Sequence, residues 1–195
     1  MSADPILTLE PLIAAIQAGV ARVGWELSGM QKTTSHQFEG RWEGESTRSA
    51  YLFFHPGNGP DWVSVDVYLD ETSRGLTGNL ALVVDIAPME RLGPTAEVLA
   101  ALAAASLRHL PERYRRPVTL RYRLADAVDA VGSAETEVRF KISLPRRLIE
   151  SGAPAITDFS AEVVRAFGEV LRSPEVMGYA PDDDEDATEA WKGGG

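Results

Sequence analysis

Residues 61–86 read DWVSVDVYLDETSRGLTGNLALVVDI. Val63, Val65, Val67 and Leu69 alternate with Ser64, Asp66 and Tyr68, a period of two that places the apolar set on one side of a strand. After turn residues Glu71 to Gly75, the side chains of Leu76, Leu80, Leu82, Val84 and Ile86 form a second apolar side. Such alternation describes a sheet with one buried face and one wetter face, which favours antiparallel pairing over the fully covered parallel kind. Trp62 and Tyr68 share the side opposite the valines. An aromatic ring on a wet face either anchors a partner or reports that the face is covered.

Upstream, Leu9, Leu12, Ile13, Ile16, Val20 and Val23 make one stripe of an amphipathic helix, with Thr8 as its cap and Pro11 in the first turn. Phe38 and Trp42 then alternate with Gln37, Glu39, Arg41 and Glu43, and Thr47 to His55 is rich in aromatics. This predicts a hairpin turning at Glu43 to Ser46. Downstream, Pro88 ends the strand and Pro94 opens an alanine-rich helix that carries Val98, Leu99, Leu102 and Leu107. That helix runs to about Leu110, where Pro111 stops it. Val118, Leu120, Tyr122 and Leu124 form one further strand face, and Val138, Phe140, Ile142 and Leu144 another. Past Pro145 and Gly152, a last helix bears Phe159, Val163, Phe167, Val170 and Leu171, and Ser173-Pro174 closes it. The expected class is α+β: a mostly antiparallel sheet of about six to seven strands with three main helices on one face, in a single domain over residues 1–174. Over roughly residues 8–172, with extra strands, this order is similar in topology to that of secretion-chaperone-type folds.

Of 195 residues, 29 are acidic and 19 basic, giving a net charge of −10, and none is cysteine. Thiol catalysis, disulfides, Cys-ligated zinc and iron–sulfur clusters are thereby excluded. The charge is unevenly spread. Residues 175–195 hold seven acids against the single Lys192, and this acidic tail is expected to be disordered. Arg108, Arg113, Arg115, Arg116, Arg121 and Arg123 oppose only Glu112 between residues 108 and 123. This arginine belt is a candidate for an anion or an acidic partner through bidentate contacts. The competing reading pairs Arg121 and Arg123 with glutamates of the next strand. The overall acidity argues against nucleic acid as a partner, and the tail itself is a candidate cover for the belt.

No P-loop, Gly-x-Gly-x-x-Gly, His-Glu-x-x-His, Gly-x-Ser-x-Gly or calcium-loop spacing occurs. His36, His55 and His109 lie far apart in sequence, so neither a metal nor a cofactor is expected and no catalytic residue is assigned. His55, oriented by Asp61, is a conceivable base in the loop HPGNGPDW, although the same residues make any tight strand connection. No run of 18 apolar residues is present, and Met1 to Pro5 lacks the basic start of a signal peptide. The expectation is a cytoplasmic protein, and the arginine and alanine bias suggests a bacterial one. The function expected first is a noncatalytic protein-binding module, of chaperone, adaptor or immunity type, that uses a sheet face or the alanine-rich helix and works as a homodimer. Trp62, Tyr68 and Trp42 are its candidate contacts, with Tyr51 a further strand aromatic. The alternatives are a small-molecule carrier or enzyme with a pocket between sheet and helices, and an anion binder through the arginine belt.

Overall fold

The computed structural model describes residues 4–35, 47–89, 92–112, 119–122 and 136–180. The expected strand at Phe38 and Trp42, its turn, and residues 181–195 of the acidic tail lie outside them. In chain order the elements are α1 (Leu9–Ala21), β1 (Trp25–Ser35), β2 (Thr47–Pro56), β3 (Val63–Thr72), β4 (Gly75–Asp85), α2 (Thr95–His109), β5 (Thr119–Tyr122), β6 (Thr136–Ser143), α3 (Arg146–Glu150), α4 (Ala153–Leu171) and α5 (Pro174–Met177). The protein is α+β, and its antiparallel sheet has the order β1-β2-β3-β4-β6-β5. Among the described residues, no helix is long and apolar enough to cross a membrane. Its Cα packing resolves two compact units interleaved along the chain.

The first unit comprises Met1–His55, Val65–Ala81 and Ile142–Val164. Strands β2 and β3 pair in a register running from Arg48 opposite Glu71 to Phe54 opposite Val65. Ala50, Leu52 and Phe54 therefore face Leu69, Val67 and Val65, and all six are buried. This is the inner face. The outer face carries Ser49, Tyr51 and Phe53 opposite Asp70, Tyr68 and Asp66. The alternation expected of β3 is present, whereas in β4 it stops: Leu80 to Val84 are buried in succession, which requires cover on both sides of the strand there.

Helix α1 lies on the inner face, held at its start by β3. The Leu9 amide donates to Glu71 Oε2 at 2.7 Å, and Arg48 joins Glu71 at 3.3 Å to Glu10. Thr8 makes no side-chain cap, so the expected cap is replaced by a carboxylate that tertiary folding brings to the helix N-terminus. Against the other side of α1 packs the first half of α4. Thr157 Oγ1 donates to the Ala15 carbonyl at 3.1 Å, and a Cβ built on Gly19 would lie 2.3 Å from the Thr157 carbonyl oxygen. Only a glycine admits this approach.

Strand β1 was not foreseen. Its sequence, WELSGMQKTTS, offers Trp25, Leu27 and Met30 as its strongly apolar residues, and these do not repeat at period two. It is a sheet edge, exposed on both sides from Glu26 to Thr34 except at half-buried Gly29, so there was no buried face to write an alternation.

The second unit comprises Pro56–Ser64, Leu82–Lys141 and the described part of Arg165–Gly195. Its loop turns through an amide of Gly59 donating to the Pro56 carbonyl at 3.0 Å. A side chain at Gly59 would strike the Pro56 ring, a close approach that accounts for glycine here. The Asp85 amide donates to the Trp62 carbonyl at 2.8 Å. Helix α5 lies along α2. Arg108 Nη1 meets Glu175 Oε1 at 2.6 Å, the Tyr179 hydroxyl donates to Glu97 Oε2 at 3.2 Å, and the Tyr179 ring lies over Gly93. Glu175 and Tyr179 thus bind the two ends of α2. On β5 and β6 the register sets Arg121 opposite Glu137.

Candidate functional site

The outer face of the first unit is built from three strands. Because β2 and β3 pair with Tyr51 opposite Tyr68, their rings meet with centroids 4.8 Å apart and planes inclined by 46°, a tilted aromatic pair. Asp70, two residues beyond Tyr68 and thus on the same face, anchors the pair. It accepts a hydrogen bond from Ser49 Oγ at 2.5 Å and another from the Tyr68 hydroxyl, which together with burial pushes Tyr68 up to about 12. A phenol bonded to an ionised carboxylate holds its proton more tightly. Tyr68 is thus fixed and neutral, while Tyr51 above it stays 38% exposed.

Phe53 continues the patch and is also 38% exposed. A Cβ on Gly29 of β1 would lie 3.5 Å from Phe53 Cδ2, so the missing side chain leaves the ring edge open. Ser28 Oγ donates to the Phe53 carbonyl at 3.0 Å and ties β1 to β2 beside it. Leu27, 42% exposed and of the same strand parity as Gly29, extends the apolar surface along β1, whereas Met30, 47% exposed, has the opposite parity. The result is a shallow aromatic face bordered by the carboxylates of Asp66 and Asp70. It is suited to apolar side chains and hydrogen-bond donors.

The residues singled out from sequence fare differently. Tyr68 lies in this face. Trp62 does not serve as an exposed contact: it is 6% exposed, and its Nε1 is buried with no hydrogen-bond partner among the described residues. Of the two readings for an aromatic on that side, the covered face is the one that holds at Trp62. Trp42, Arg113, Arg115, Arg116 and Arg123 lie outside the described residues, as does the side chain of Arg121. Arg108 is engaged by Glu175, and the Arg121–Glu137 register fits the salt-paired reading of the belt. His55 is half-buried at the end of β2, and Asp61 is exposed in the turn before β3.

Phe53, Leu27 and Met30 were missed. In the stretch AYLFFHP, apolar residues occupy both parities, which hides the outer set, and β1 itself was not foreseen. A second polar cluster lies where α2 meets α5. Glu175 is held below the usual carboxylate range, first by its backbone amide and then by Arg108 and His109. Ser173 Oγ, His109 Nε2 and Glu175 Oε2 are buried there without hydrogen-bond partners among the described residues.

No protein-family model, no curated protein and no solved structure matches the chain.

Proposed function

We propose that this chain is a noncatalytic protein-binding module that holds its partner across the outer face of β1, β2 and β3. The observation that carries the reading is where exposed apolar bulk collects. Of the seven large hydrophobic side chains exposed among the described residues, Leu27, Tyr51 and Phe53 fall on one face of two adjacent strands. A contiguous apolar patch with aromatic anchors is a usual mark of a protein contact. The alanine-rich helix is the weaker candidate. Its open side offers Ala96, Ala100, Ala103 and Ala104 with Leu107 as the one large side chain, and α5 already occupies part of α2. In this reading the chain acts within the cell as a chaperone, adaptor or immunity-type protein.

The test is affinity capture from cells of the source organism with wild-type chain and with Tyr51→Ser/Phe53→Ser, both folded by circular dichroism. The reading requires a protein retained by the wild type, lost with the double variant, and bound again when purified and mixed. Equal capture by both forms, or none that survives purification, would overturn it.

A further inference from the structure

Strand β1 has β2 as its one sheet neighbour among the described residues, and among them its far side is an open edge. Sheet edges in stable monomers are ordinarily short or guarded. This one is 11 residues long, about 36 Å at the usual rise per residue, and exposed along most of its length. Its two charges are Glu26 and Lys32, both exposed; no direct ion pair is seen for either among the described residues, and Lys32 acts at longer range on Glu10 of α1. Gly29 is the midpoint between them.

We infer that a second copy of this chain pairs antiparallel with β1 along this edge, with the two-fold axis through Gly29. In that register Glu26 of each copy stands opposite Lys32 of the other, Leu27 opposite Gln31, and Ser28 opposite Met30. Two-fold symmetry duplicates the ion pair, because an isologous contact repeats every interaction. Charge complementarity selects this register. Centring the axis on Glu26 or on Lys32 would place like charges face to face, which destabilises a strand pair. A lone edge lysine ordinarily guards against pairing; matched by a glutamate three residues before the axis, it sets the register instead.

The axis residue also suits the contact. Gly29 brings no side chain to the point where the two strands cross the axis, and its Cα faces the same side as Phe53. Pairing would join the outer faces of two copies into one sheet, so that Leu27, Tyr51 and Phe53 of each contribute to a doubled apolar surface. The inference concerns the edge and does not depend on what binds the face.

The test is self-association of the full chain, followed by sedimentation equilibrium at low salt, with thermal melting of each variant as the folding control. Wild type is expected to be a dimer. Glu26→Lys and Lys32→Glu should each weaken association by about tenfold, equivalent to about 1.4 kcal/mol, because each turns two attractive pairs into repulsive ones. The combined Glu26→Lys/Lys32→Glu variant exchanges the charges across the axis and should recover wild-type affinity. Gly29→Asp, which sets two carboxylates together on the axis, should give monomers that still melt cooperatively, at a temperature no longer dependent on protein concentration. A monomeric wild type at every concentration, a dimer indifferent to the single reversals, or a double reversal no better than the singles would each overturn the inference.

Discussion

At the scale of single residues, two positions carry strong constraints. Gly19 lets α1 approach α4 so closely that a Cβ would lie 2.3 Å from the Thr157 carbonyl oxygen and 2.8 Å from Ser160 Cβ. Alanine in a helix is ordinarily favoured over glycine by about 1 kcal/mol. Here the helices must separate to admit it, so Gly19→Ala should destabilise by about 1–3 kcal/mol in chemical denaturation, as overpacking does; a gain in stability would show that the approach is looser. Tyr68 is the second. With its hydroxyl bonded to Asp70 its ionisation is pushed up to about 12 from an ordinary 10.0. A tyrosine that binds its proton more tightly when folded adds stability that is complete below pH 10.0 and is lost as pH rises toward 12. Ultraviolet titration should therefore show one tyrosine ionising near 12, and Asp70→Asn should bring it back toward the ordinary value.

Among the elements, the start of α1 is held by a tertiary charge rather than by a local cap. Glu71 caps α1 from β3, so Glu71→Ala should cost about 0.5–2 kcal/mol, the usual range for loss of an N-terminal cap. Glu10 is held below its ordinary 4.5, first by its own backbone amide and then by Arg48. A carboxylate lowered in the folded state contributes stability above its unfolded value and loses it as pH falls through the folded one. Denaturation midpoints measured from neutral pH downward should thus begin to fall near 4.5, and less steeply in Arg48→Met. Glu175, lowered by its amide and by Arg108, should likewise release α5 from α2 in acid. None of these partners could be read from the sequence, because Glu71 and Glu10 are 61 residues apart. What could be read was whatever writes a period: α1, α2 and α4 between their prolines, and the alternation of β3. Helices α3 and α5, with five and four residues, are too short to write one. Past Trp25, strand β1 buries neither side, and β2 hides Tyr51 and Phe53 among Leu52 and Phe54. Tyr68 was legible because its strand alternates cleanly, whereas Trp62 has the same parity and is covered.

For the molecule as a whole, more than half of the net charge of −10 belongs to residues 175–195, which carry seven acids against the single Lys192. One of those, Glu175, is already spoken for by Arg108 within the fold. The remaining surface is marked less by charge than by the aromatic face beside an open edge, and the proposed function rests on that face. Its most direct test is site-specific photocrosslinking in source cells. Benzoylphenylalanine placed at Phe53 is expected to join the chain covalently to one distinct partner protein, while the same probe at Arg165, exposed on α4, gives none. A probe at Phe53 that captures nothing, or the same products from both positions, would contradict a partner held across the outer face.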